Sequence, residues 1–190
     1  NGKNYLTMKK EEKLKLKNNK DYELFEIDVV SCEPNLLNCI LNHKKQKDIY
    51  SLFCNNRDRN KLKRAVIATI YGMQEKNCSR MTGINIDTIK KINEYFKIDS
   101  IKKELKELYE KSNSIKNIYG RHLMKNNNLI NHYIQSSAAD FCLSSFINFS
   151  ETYNVRPVAV IHDAFLFEVK KSEKEKIMSI NYIIDPITNI

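Results

Sequence analysis

Residues 158–169 read VAVIHDAFLFEV, two apolar β-prone runs on either side of a polar His162 and Asp163, with Pro157 opening the stretch. This pattern predicts a tight β-hairpin with an aspartate in its turn. A second β-prone stretch, YELFEIDVV at 22–30, predicts a strand ending near Asp28 to Val30. Each of the two strands therefore carries an aspartate at its end or turn. Taken singly, such a residue is most simply a turn aspartate. Yet a carboxylate at the end of an apolar strand is costly to bury unless it is paired or bound to a cation. Two such strands side by side in one sheet would bring Asp28 and Asp163 to a shared pair of divalent ions about 3.5–4 Å apart, an arrangement suited to in-line phosphoryl transfer.

Between these strands the chain reads as helical. Arg57 to Tyr71 alternates buried-type and basic residues, has no Gly or Pro, and stops at Gly72. A short helix is expected at Leu36–Leu41 after the turn-forming Pro34, two more at about 85–97 and 100–113, and a long one at about 129–150 that is apolar on most sides and so buried. In the 57–71 helix, Arg59, Lys63, Ile67 and Tyr71 recur every fourth residue and form one slowly winding stripe. Two cations, an aliphatic and an aromatic residue suit a nucleoside triphosphate laid along the helix, phosphates toward Arg59 and Lys63, base and sugar toward Ile67 and Tyr71. The alternative is a lysine-rich helix with a solvated face.

The 190 residues suffice for one domain or two small subdomains, and 42% hydrophobic content supports a real core. No apolar run approaches the roughly 20 residues of a membrane span, so no membrane role and an intracellular location are expected. The five cysteines, Cys32, Cys39, Cys54, Cys78 and Cys142, are never spaced for metal binding and read as reduced thiols. A net charge of +9 fits a polyanionic partner. However, 26 lysines against 6 arginines is also what an AT-rich coding sequence yields, so charge alone leaves the partner open. Residues 1–20 are lysine-rich, and KLKLK at 13–17 is either an edge strand or a solvated arm.

Four segments, DVVSCEPNLL (28–37), RNKLKRAVIATIYG (59–72), NHYIQSSAAD (131–140) and VAVIHDAFLFEV (158–169), occur in an order and spacing that resemble family A DNA polymerases over about residues 22–170. The resemblance implies an α+β fold in which an antiparallel palm sheet carries the two catalytic aspartates beside helical fingers, with thumb and exonuclease domains absent. It implies residues 1–56 and 119–190 as palm and 57–118 as fingers. Asp28, Asp163 and the Val29 carbonyl would hold two Mg2+ ions, with Mn2+ as a substitute. Glu33 would pack beneath the sugar and leave no room for a 2′-hydroxyl. Arg59 and Lys63 would grip the triphosphate, Lys63 also protonating the leaving pyrophosphate, while Tyr71 would stack at the templating position. Gln135 and Asn131 would contact the minor-groove side of the primer-terminal pair, where acceptors are common to all correct pairs. Gly120 and Arg121 resemble the Gly-Arg that precedes that helix, and His162 would lie near the primer terminus. The implied partners are primer-template DNA and dNTPs, together with the missing thumb and exonuclease parts or an accessory processivity factor.

The departures are specific. Ala164 stands where the family usually carries an acid, Ile67 where an aromatic is usual, Ala68 where Gly is usual, and Pro34 and Asn35 replace an apolar and basic pair. The nearest rival is a single-subunit RNA polymerase, which KRAVIATIYG and HDAF also resemble but which keeps a small residue at the place of Glu33. The other is a non-catalytic domain that only holds primer-template, and retention of both aspartates speaks against it.

Overall fold

The computed structural model describes residues 20–43, 46, 48–53, 58–124, 128–180 and 182–188. The KLKLK segment and Cys54 lie outside them. The chain divides into two compact units, one made of residues 1–29 and 141–190 and the other of residues 30–140.

The first unit is built on an antiparallel sheet of order β1-β5-β4, comprising β1 (Tyr22–Asp28), β4 (Arg156–Ile161) and β5 (Ala164–Lys170). Strand β5 is central because its AFLFEVK sequence is apolar on both faces. Phe165, Leu166, Phe167 and Val169 are all buried. Strand β4 is an edge, the one place where Pro157, which has no N–H to give, is tolerated, and a register shift between Pro157 and Ala159 marks the irregularity. One face of the sheet is closed by the second half of a long helix, α6 (Leu129–Tyr153), through stacked and edge-on aromatic contacts. Phe146 lies 5.0 Å from Phe165, and Phe149 lies 5.3 Å from Phe167. Such pairs add about 0.5–1.5 kcal/mol each beyond the area they bury.

The second unit is helical. It comprises α1 (Cys32–Ile40), α2 (Arg59–Ile70), α3 (Glu75–Thr82), α4 (Ile86–Tyr95), α5 (Ile98–Ser112) and the first half of α6, with a two-residue ladder between β2 (Ile115–Lys116) and β3 (His122–Leu123). The sixth helix in chain order is followed, after the hairpin, by a short α7 (Lys174–Met178) in the first unit. The core of the helical unit gathers Leu37, Leu62, Val66, Ile70, Ile89, Ile92, Phe96 and Ile134.

The α+β class and antiparallel sheet agree with expectation, and among the described residues there is no domain of thumb or exonuclease type. Among the same residues no helix is long and apolar enough to cross a membrane. Among the described cysteines, Cys32, Cys78 and Cys142 are buried and Cys39 is half-buried. Two local readings need correction. The helix expected at Leu36–Leu41 begins at Cys32, because Ser31 turns the chain with φ 51° and Pro34 falls within the first helical turn, where its missing N–H has no intrahelical partner to lose. Helix α3 was not expected. Its EKNCSRMT sequence buries only Cys78 and Thr82, too few apolar positions for periodicity to show.

Candidate functional site

At one end of the sheet, the last residue of β1 pairs across from the first of β5, Asp28 opposite Ala164. The ladder continues one step further, the Val29 N–H donating to the Asp163 carbonyl at 2.9 Å. Strands β4 and β5 meet at the pair Ile161 and Ala164, so His162 and Asp163 form a two-residue turn. His162 has φ 55°, a left-handed conformation that His, Asn and Asp visit more readily than other residues with side chains. The register therefore delivers both expected carboxylates to the same sheet end on neighbouring strands. Asp28 is exposed and Asp163 half-buried, and His162 is exposed beside them. Because Ala164 lies directly opposite Asp28, the acid missing from this position is one that would have stood on the same face. Among the described residues no group of three His, Cys, Asp or Glu side chains could hold a metal ion.

The helical unit contains a second cluster. Helix α2 starts at Asp58, whose side chain accepts from the Lys61 N–H at 3.1 Å, and buries Leu62, Ala65, Val66, Thr69 and Ile70 on one side. That leaves the expected stripe accessible. Arg59 and Lys63 are exposed, while Ile67 and Tyr71 are half-buried. The helix ends in a Schellman arrangement, Met73 N–H to the Ala68 carbonyl and Gly72 N–H to the Thr69 carbonyl, with Gly72 at φ +86°. The Tyr71 hydroxyl donates to Glu33 Oε1 at 2.8 Å, and the polar end of the Gln135 side chain stands near it. Burial, foremost, and the neighbouring Glu33 carboxylate push the Tyr71 phenol up to about 12, against the opposing effect of Gln135. Three residues selected separately from the sequence thus meet at one hydroxyl.

The remaining residues are placed with other partners. Arg59 pairs with Asp48 at 3.4 Å and lies over the Tyr50 ring, 5.3 Å from its centroid; both side chains of the ion pair are well exposed, which makes it weak and exchangeable. Arg121 Nε meets Asp140 at 3.0 Å and its guanidinium also donates to the Ser136 carbonyl, so this residue ties the β2–β3 turn to α6. Asn117 supports that turn, its Oδ1 accepting from the Tyr119 and Arg121 N–H groups and its Nδ2 donating to Asp140. Asn131 sits one turn before Gln135 on α6, half-buried, its Oδ1 enclosed with no partner among the described residues. Sequence reading missed Asp48, Asn117, Asp140 and Asn128. Only Asn128 carried a signal, an Asn just before a long apolar helix, and it was obscured by standing in a run of three asparagines.

The sequence matches the profile described as DNA polymerase family A across residues 20–183, most of the chain. The chain belongs to DNA polymerase family A. Among solved structures it is similar to the POL domain of Pol1 from M. smegmatis in complex with DNA primer-template and dNTP, at a TM-score of 0.57 and 16% identity, a likeness of fold. The match covers 84% of this chain and 36% of that one, so the chain spans about a third of that protein's length. No curated protein matches it in sequence.

Proposed function

We propose that the chain carries out template-directed DNA synthesis, transferring dNTPs to a primer 3′-hydroxyl, with residues 1–56 and 119–190 acting as palm and 57–118 as fingers. The observation that carries this reading is the sheet register, which brings Asp28 and the His162–Asp163 turn to one end of neighbouring strands. Membership of the polymerase family and the likeness to a polymerase domain support it.

The donors at the sheet end fit two Mg2+ ions, or Mn2+ in their place. Asp28 and Asp163 offer hard carboxylate oxygens that solvent can reach, the Val29 carbonyl offers a third oxygen, and Mg2+ is commonly held by one or two carboxylates with waters and substrate phosphates completing its shell. When bound, such ions lower the barrier by neutralising charge that develops on the attacking and leaving oxygens. Lys63 and Arg59 bind the triphosphate. Arg59 exchanges its exposed Asp48 partner for phosphate, and Lys63 gives a proton to the departing pyrophosphate. Glu33, fixed by the Tyr71 hydroxyl, excludes a 2′-hydroxyl, while Ile67 and Tyr71 present apolar surface to base and sugar. Gln135, Asn131, Arg121 and His162 contact the primer-template.

Glu33 separates this reading from that of an RNA polymerase, since the residue is present and held in place by Tyr71. Primer extension by the native polypeptide and by Glu33→Ala, each offered dNTPs and rNTPs, tests it. The variant should incorporate ribonucleotides at least about tenfold more readily relative to deoxynucleotides, the scale on which loss of one steric exclusion acts. An unchanged preference would remove Glu33 from sugar selection.

A further inference from the structure

Tyr71 is the meeting point of the helical-unit cluster, and its backbone is held as well as its hydroxyl. The Asn128 side chain does two things at once. Its Oδ1 accepts from the Asn131 N–H at 3.3 Å, capping the N-terminus of α6, and its Nδ2 donates at 2.9 Å to the Tyr71 carbonyl at the C-terminal end of α2. The Asn128 carbonyl meanwhile accepts from His132, starting the helix. One planar amide thus joins an orphan carbonyl of one helix to an orphan N–H of another, the two kinds of group that helix ends leave unsatisfied.

The helices also touch next to this bond. A Cβ added at Gly72 would stand 2.7 Å from Ile130 Cγ2 and 2.8 Å from Lys102 Cε, so the end of α2 rests against the first turn of α6 with no space left over. Helix α2 carries Arg59, Lys63, Ile67 and Tyr71, and α6 carries Asn131 and Gln135 one and two turns beyond the joint. The rotation and rise of one helix end against the other fix where the Gln135 side chain stands relative to the Tyr71 ring.

We propose that Asn128 is a positioning residue that sets the register of the nucleotide-facing helix α2 against α6 by bridging the Tyr71 carbonyl to the Asn131 N–H. This rests on the functional reading above, in which Tyr71 faces the incoming nucleotide. Capping and bridging can be separated because an acceptor alone is enough to cap. Asp and Ser cap as well as Asn does, but neither can donate a hydrogen bond to the Tyr71 carbonyl: Asp has no donor, and Ser is too short to reach while capping.

The experiment compares the native full chain with Asn128→Asp, Asn128→Ser and Asn128→Ala, using templated single-dNTP incorporation and alkaline titration of phenolate absorbance, each read as a difference against Tyr71→Phe. If Asn128 positions Tyr71, all three variants raise KM for dNTP by about fivefold, the cost of one neutral hydrogen bond, with kcat within about twofold, and in the uncharged variants Asn128→Ser and Asn128→Ala the Tyr71 phenol titrates lower than in the native chain. If only Asn128→Ala is impaired, Asn128 is a cap and nothing more, and the inference falls. It also falls if all three match the native protein in both readouts. A native polypeptide that incorporates no nucleotide would overturn the functional reading instead, and the phenol titration would still decide whether Asn128 holds Tyr71.

Discussion

Removing the bond between Tyr71 and Glu33 should leave a measurable coupling in the stability of the protein. The hydroxyl donates at 2.8 Å to a carboxylate, and both side chains are half-buried. A hydrogen bond to a charged acceptor contributes about 1.5–3 kcal/mol when enclosed, and partial solvation brings the expected value to the lower end, about 1–1.5 kcal/mol. Tyr71→Phe removes the donor and leaves the ring; Glu33→Ala removes the acceptor. Each single variant should therefore lose about 1–2 kcal/mol, and the double variant should lose less than their sum by about 1 kcal/mol, because the second change has no bond left to break. Urea unfolding of the four proteins at neutral pH measures the cycle, and Tm should fall by several degrees in each single variant. Glu33→Gln serves as an internal check: it keeps an acceptor oxygen and should lose less than Glu33→Ala. Losses that add to within about 0.3 kcal/mol would show that the two groups do not interact in solution, and the reasoning that fixes Glu33 through Tyr71 would fail.

The Tyr71 phenol, pushed up to about 12, keeps its proton longer in the folded protein than in the unfolded chain, whose tyrosines titrate near 10. Its contribution to stability is full below about pH 10 and is lost as pH rises toward 12, so the native protein should lose more stability across that window than Tyr71→Phe does. An equal loss in the two proteins would refute this. Gly72→Ala should destabilise by roughly 1–3 kcal/mol, since it places a side chain at φ +86° and against Ile130 and Lys102; unfolding in urea measures it, and a neutral effect would mean that the end of α2 can move away from α6.

Much of what positions the candidate site was legible in the sequence, because the signals are local. The hairpin over 158–169 was visible from two apolar runs around a polar pair, and β1 from its aromatic and aliphatic alternation; the strands observed are Arg156–Ile161, Ala164–Lys170 and Tyr22–Asp28. Helix α2 was bounded by its own periodicity and by Gly72, and α6 by length and apolarity, although it runs three residues beyond the expected 150. Helix α3 stayed hidden because a short helix that buries two residues has almost no periodic signature. The β2–β3 ladder pairs only two residues per strand, too few for alternation to register. The bonds that fix side chains were hidden for a different reason. Arg59 with Asp48 spans 11 positions, Arg121 with Asp140 spans 19, and Asn128 with the Tyr71 carbonyl spans 57, and no local pattern encodes a partner at that distance. Arg121 shows the consequence. Its residue type suits phosphate, yet the fold already gives its guanidinium a carboxylate and a carbonyl.

The metal-binding role of the sheet end is tested most directly by primer extension with Mg2+ in the native polypeptide, Asp28→Ala and Asp163→Ala, with primer-template binding measured alongside. Asp28 and Asp163 lie at one end of the sheet, and Ala164, paired opposite Asp28, supplies no carboxylate there. Each variant should lose at least about a thousandfold in incorporation rate while binding primer-template within about twofold of the native protein. Extension by either variant at close to the native rate would contradict the assignment of these two carboxylates as the metal-holding pair.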